Sequence, residues 1–284
     1  MTELWRRMWY QILRRIPKNT NATNIFSKEW DICIVLDGCR YDLASNTAIE
    51  YDYVKNIQCI YSVDSMTGQW THKTFNPKYS SEMSDCIYIS ANPYTGMILD
   101  KRSFQHLELV YEYGWSQKDG TVPPRPVTER GIDLVRKNPN SRFIIHYLQP
   151  HVPFLNWEHR KPVQKGNFGG EKVPDTWDRL RQGKVSVSDV WEGYEDNLKT
   201  VLDDLSILLT NVDADNVVVT SDHGNAIGEK GVYGHPMNMP LEVLRKVPWI
   251  EVSASDEQTF DPDKLEKSNR LDLKTQLRSL GYIR

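Results

Sequence analysis

The sequence predicts an α/β fold: a largely parallel sheet covered by helices on both faces. Short apolar runs recur at 32–36, 57–61, 86–89, 143–148, 217–220 and 248–252, each of strand length and rich in Ile, Val, Tyr or Phe. Helical patterns lie between several of them. Strands that alternate with helices bury a sheet on both sides. The 284 residues suit one domain over 26–284, preceded by an N-terminal helix and linker over 1–25.

Residues 1–17 read as an amphipathic helix. Trp5, Met8, Trp9, Ile12, Leu13 and Ile16 recur at helical spacing, with Arg6, Arg7, Arg14 and Arg15 on the other face. Pro17 and the Asn-rich stretch 19–24 end it. Two readings stand: a helix for peripheral membrane or partner contact, or a helix docked on its own domain. The clearest interior helix spans about 188–210, with Trp191, Tyr194, Leu198, Val201, Leu202, Leu205, Leu208 and Leu209 on one face. Ser186 and Asp189 form a capping box before it. Residues 115–130 and 156–185, rich in Gly, Pro and charge, read as long loops of functional length.

Composition narrows the function. With 35 basic against 38 acidic residues, neither a nucleic-acid partner nor a disordered acidic tail is indicated. Cys33, Cys39, Cys59 and Cys86 have no CxxC spacing, and Cys33 and Cys59 fall inside apolar runs, so reduced core thiols are expected. No apolar run approaches the ~20 residues of a membrane span, and no secretory signal is evident, so the default compartment is the cytoplasm, with membrane-peripheral contact through 1–17 as the variant. Nucleotide-binding motifs are missing: Gly166–Gly170 fits neither glycine-rich phosphate pattern.

Chemistry concentrates where the apolar runs end. Ile32–Leu36 leads to Asp37; Ile57–Tyr61 leads to Ser62, Asp64, Ser65 and Thr67. Phe143–Leu148 leads to Gln149-Pro150-His151, and Val217–Thr220 leads to Ser221-Asp222-His223-Gly224. His235 follows twelve residues after His223. In open α/β sheets the ligand crevice lies outside the carboxyl ends of the strands, so four such ends are expected to converge. Carboxylates and imidazoles near a core are costly unless paired, and a metal would use them together. Each residue also has a structural reading. Asp37 caps the next helix, His151 is a hydrogen-bonded loop histidine, and Arg40, which as a substrate-binding residue would clamp an oxyanion bidentately, pairs with Asp42 or another surface acid instead. His146, inside an apolar run, reads as a buried, hydrogen-bonded histidine.

Asp37 in Val35-Leu36-Asp37-Gly38-Cys39-Arg40-Tyr41-Asp42, then Gln149 to Phe154, Ser221 to Gly224 and Tyr233 to Pro236, in that order, resemble the alkaline phosphatase/sulfatase superfamily. The ending Leu280-Gly281-Tyr282 resembles the close of many sulfatase-like chains. The resemblance covers about 28–284 and is specific at these motifs alone. It implies an alkaline phosphatase-like three-layer sandwich and metal-dependent hydrolysis of phosphate or sulfate esters. Asp37, Asp222 and His223 would hold a divalent metal, zinc or manganese first, magnesium or calcium as alternatives. His235 and His151 would serve a second metal or the ester oxygens. The nucleophile would stand at a helix start after the second strand, where Thr67 ranks before Ser65 and Thr71. No Cys-x-Pro-Ser-Arg supports a formylglycine, and Asp37-Gly38 stands where many sulfatases carry two aspartates. The implied substrate is a small-molecule, glycan or lipid ester. Transfer to a sugar or lipid headgroup, and a non-catalytic metal-binding role, are the alternatives.

Overall fold

The computed structural model describes residues 3–17, 21–159, 174–262 and 272–280. Gly166–Gly170, residues 160–173 of the 156–185 segment and Gly281-Tyr282 lie outside them, and the described end of that segment is a helix over Thr176–Arg181 rather than loop throughout.

Seven strands form one mixed sheet. β1 (Ile32–Leu36) lies between β5 (Arg142–Tyr147) and β6 (Ala214–Thr220), parallel to both. β3 (Cys86–Ser90) and β4 (His106–Leu109) continue the parallel array beyond β5. β9 (Lys246–Ala254) runs antiparallel to β6, and β2 (Gln58–Tyr61) antiparallel to β9, giving the order β2-β9-β6-β1-β5-β3-β4. Two antiparallel steps return β2 to the direction of β6, so β2 also ends on the edge where β1, β5 and β6 end. Every residue of β1 and β3 is buried, as the continuous apolar runs require of strands covered on both faces. A small ribbon, β7 (Ala226–Ile227) with β8 (Tyr233–Gly234), stands beyond β6.

Ten helices accompany the strands among the described residues. They are α1 (Glu3–Leu13), α2 (Tyr41–Thr47), α3 (Thr67–Thr74), α4 (Ser80–Ser84), α5 (Pro93–Ile98), α6 (Pro124–Lys137), α7 (Thr176–Arg181), α8 (Val187–Leu209), α9 (Glu242–Arg245) and α10 (Leu273–Ser279). α8 opens on the expected capping box, Ser186 and Asp189 each bonding the other's backbone amide. It buries Tyr194, Leu198, Val201, Leu202, Leu205, Leu208 and Leu209. α6 packs on α8, β3 and β5, while α3 packs on α5.

Three expectations change. The 115–130 segment is not one loop, because α6 begins at Pro124. Proline in a first turn loses no helical hydrogen bond, so Pro123, Pro124 and Pro126 mark a helix start. Cys59 is exposed rather than a core thiol, because β2 is an edge strand; the other three cysteines are buried, and all four are free. β4, with polar His106 and Glu108, had no apolar run to announce it.

Candidate active site

The carboxyl ends of β1, β2, β5 and β6 meet at one buried cluster. Asp37, Thr67, Asp222 and His223 are each fully buried, and His151 nearly so. Asp37 is not a helix cap: Arg40 occupies that position for α2, and Asp37 Oδ2 accepts from Asn92 Nδ2 at 2.5 Å. Asn92 follows β3, a fifth strand end at the site, and had no sequence signal beyond being an amide after a strand.

The loop after β6 is tied by short local bonds. Asp222 Oδ1 accepts from the amides of Gly38 (2.9 Å) and His223 (2.8 Å). The Ser221 hydroxyl donates to the His223 carbonyl (2.7 Å) and accepts from the Cys39 amide (2.9 Å). Gly38 has φ +71°, and its carbonyl accepts from Asn225 Nδ2 (3.1 Å) and from the Tyr194 hydroxyl. A Cβ there would lie 2.5 Å from Asn225 Nδ2. This accounts for glycine after Asp37: a second aspartate would need a left-handed backbone and the space of Asn225. Gly38→Ala is therefore expected to lower stability by about 1–3 kcal/mol, read from the denaturant midpoint.

His223 Nδ1 lies 2.9 Å from the Gly224 carbonyl, which can only accept, so Nδ1 carries a proton. Its Nε2 lies 3.0 Å from the Thr67 hydroxyl oxygen. It also faces Asp222 Oδ2 at 3.3 Å and Asp37 Oδ1 at 3.8 Å. Asp222 Oδ2 is buried with no hydrogen-bond partner among the described residues. Two carboxylates in a closed space repel one another; a divalent cation held by them and an imidazole nitrogen would convert that repulsion into coordination. The donor set fits a metal.

His146 joins this cluster. Asp37, His146 and Asp222 each bring a ligand atom within 4.8 Å of the others. His146 Nδ1 pairs with the Tyr88 hydroxyl (2.8 Å), while Nε2 is buried without a partner among the described residues. The expected buried, hydrogen-bonded histidine is present, and one of its ring nitrogens lies close to the acids.

A second group stands alongside. His151 Nδ1 donates to the Val152 carbonyl (2.6 Å), leaving its Nε2 lone pair toward His235 Nε2 at 2.9 Å. The His235 ring stacks on His223, centroids 4.5 Å apart. Burial, with His223 nearby, pushes His151 down to about 4; burial, His223 and His151 hold His235 well below its usual value. Burial likewise pushes His146 down to about 4. An unfolded histidine protonates near 6.5, so between that pH and 4 the unfolded chain binds more protons, and stability falls as pH falls through this window. His146 and His151 are each expected to contribute a loss of about 2 kcal/mol by pH 5. Denaturant titrations in chelator at pH 7 and pH 5 check this, with His146→Phe reducing the difference.

Ser65 and Arg40 are engaged elsewhere. Ser65 Oγ donates to the Pro236 carbonyl (2.7 Å) and accepts from the Met239 amide (2.8 Å), knitting the β2–α3 loop to the segment after His235. Thr71 is buried within α3, its hydroxyl without a hydrogen-bond partner among the described residues. Arg40 takes its ion-pair alternative: Nε and Nη2 bond Asp42, and Nη1 bonds Glu229 (2.6 Å) and the Asn225 carbonyl (3.1 Å).

No protein-family model matches the chain, and no curated protein does. Solved structures do. The soluble domain of lipooligosaccharide phosphoethanolamine transferase A from Neisseria meningitidis superposes with TM-score 0.54 at 13% identity, over 87% of this chain and 82% of that one. The integral membrane form of that transferase gives TM-score 0.54 at 12% identity, over 99% of this chain; this chain spans 58% of its length. A phosphonate monoester hydrolase from Agrobacterium radiobacter gives TM-score 0.45 at 12% identity, over 78% of this chain and 68% of that one. With a mixed sheet of this order and the likeness to the two transferase structures, the chain has the alkaline phosphatase-like fold.

Proposed function

We propose that the protein is a metal-dependent enzyme that cleaves phosphate or sulfate esters through a covalent intermediate on Thr67. The observation that carries this reading is the Thr67 hydroxyl 3.0 Å from His223 Nε2, beside the paired carboxylates of Asp37 and Asp222. Asp37, Asp222 and His223 would hold the divalent cation, with His146 Nε2 a further donor beside them. Zinc or manganese suits nitrogen and carboxylate donors together, with magnesium or calcium as alternatives. The chemistry a bound ion supplies there is Lewis acidity: a lower pKa for a hydroxyl and neutralisation of ester oxygens.

The chain's own residues do the rest. Thr67 is the first residue of α3, so the free amides of that first turn face an incoming anion. Its oxygen attacks the phosphorus or sulfur centre as the bond to the leaving oxygen breaks. His151 and His235, kept neutral by burial, share the hydrogen bond between their Nε2 atoms and gain basicity beside an anionic ester. Water then releases the group in a hydrolase. A hydroxyl-bearing acceptor takes it in a transferase, a reading favoured by the likeness to a phosphoethanolamine transferase fold.

The test is an ester panel on metal-loaded protein, with acid quench and mass analysis of the peptide bearing Thr67. A phospho- or sulfo-adduct there, lost in chelator, supports the reading. Added acceptor alcohols separate the outcomes, since transfer exceeding hydrolysis identifies the transferase. Stoichiometric metal with no turnover and no adduct across the panel would overturn it in favour of a non-catalytic binding protein.

A further inference from the structure

Helix α1 divides its apolar residues between two faces. Leu13 is buried against Ala226, Val232, Met239, Leu241 and Leu244, with Trp9 and Tyr10 half-buried beside it. The Trp9 indole donates to the Lys230 carbonyl (2.7 Å), and Arg14 Nε donates to the Met237 carbonyl (3.2 Å). The helix thus rests on the segment that carries His235.

The other apolar residues do not reach that cluster. Leu4, Trp5, Met8 and Ile12 are 69, 62, 45 and 54% exposed, and Ile16 just beyond the helix is 39% exposed. Positions 4, 8, 12 and 16 step by about one helical turn, so they line one stripe. Half of the ten exposed large apolar side chains among the described residues sit in this short segment, and Met237 beside Arg14 adds another. A docked helix has no folding reason to keep a second apolar stripe in water.

Charge decides what covers it. Residues 3–17 carry Arg6, Arg7, Arg14 and Arg15 against a single acid, Glu3. Arg7, Arg14 and Arg15 are exposed. At 100° per residue, Arg15 falls within the stripe, while Arg7 and Arg14 lie together beyond its Leu4 edge. A second copy meeting this face isologously would set arginine against arginine. An anionic surface with an apolar interior satisfies both features, and tryptophan suits the boundary between them. No described helix is long and apolar enough to cross a membrane.

We propose that α1 docks the protein on a membrane surface bearing anionic lipid headgroups, lying in the plane of the interface with Leu4, Trp5, Met8, Ile12 and Ile16 inserted. This goes beyond the ester-cleaving reading and does not depend on it.

The experiment is co-sedimentation of the full chain with vesicles of phosphatidylcholine alone, or of an equal mixture with phosphatidylglycerol. Binding is expected to the mixed vesicles, weakening as salt rises. Trp5→Glu/Ile12→Glu and, separately, Arg7→Gln/Arg15→Gln are expected to weaken it about tenfold or more, with unchanged denaturant midpoints. Ile49→Glu, at an exposed apolar site outside the helix, is expected to bind as the parent does. The proposal is overturned if the parent ignores both vesicles, or if the Trp5→Glu/Ile12→Glu protein binds as well as the parent. It is also overturned if the parent ignores vesicles but self-associates in sedimentation equilibrium through this stripe, which would assign the face to a second copy.

Discussion

Thr67→Ala is expected to remove the covalent adduct and to lower kcat/KM by roughly 10⁴-fold or more, the scale seen when a covalent nucleophile is deleted. Thr67 is buried at the start of α3, and its hydroxyl already meets His223 Nε2. Alanine keeps the helix and removes one oxygen. Thr67→Ser restores that oxygen and is expected to recover a large part of the rate. The informative companion is Ser65→Ala. Ser65 spends its hydroxyl on the Pro236 carbonyl and the Met239 amide, so its loss strands both groups. A stability decrease of about 1–3 kcal/mol is expected there, with turnover within a few-fold of the parent. If Ser65→Ala silenced the enzyme while folded and Thr67→Ala did not, the assignment of the nucleophile would be reversed.

Asp222→Asn is expected to empty the metal site. The substitution preserves the Oδ1 acceptor that holds the Gly38 and His223 amides. It replaces only the unpartnered Oδ2 by an NH₂, which donates and cannot ligate. Elemental analysis should find stoichiometric divalent metal in the parent and little in Asp222→Asn or in Asp222→Ala/His223→Ala. A chelator should lower the parent's Tm by about 5 °C or more, because binding at 100 Kd adds about 2.7 kcal/mol, and should leave the variants' Tm unmoved. Parent protein that takes up no metal on reloading would remove the basis for ester cleavage.

The strands of the inner sheet were legible because each is a continuous apolar run, the signature of burial on both faces. Asp37, Thr67, His151, Asp222 and His223 were legible as a group because all follow such runs, and topology converts that position into proximity. His146 lay inside a strand, where the pattern marks burial but not direction. Only the sheet shows that a ring nitrogen of His146 lies close to the acids. Asn92 and Tyr194 reach the site from elements whose own patterns speak of packing, one an amide after β3, the other a core residue of α8. The helix α6 was hidden by its prolines, and the exposure of Cys59 by its place at a sheet edge, which no single run encodes.

The chain's sequence alone determined the α/β class, the strand ends that carry the chemistry, the capping of α8 and the helical nature of the N-terminal segment. These follow from periodicity and residue type, which act over a few residues. Tertiary structure decided among alternatives that local pattern leaves equal. It gave Asp37 to Asn92 and the buried cluster rather than to a helix cap, and Arg40 to Asp42 and Glu229 rather than to an open crevice. It turned the Thr67 hydroxyl toward His223 and the Ser65 hydroxyl toward Pro236. The physical reason is that a polar side chain is settled by whichever partner lies within about 3 Å, and for these residues that partner is remote in sequence.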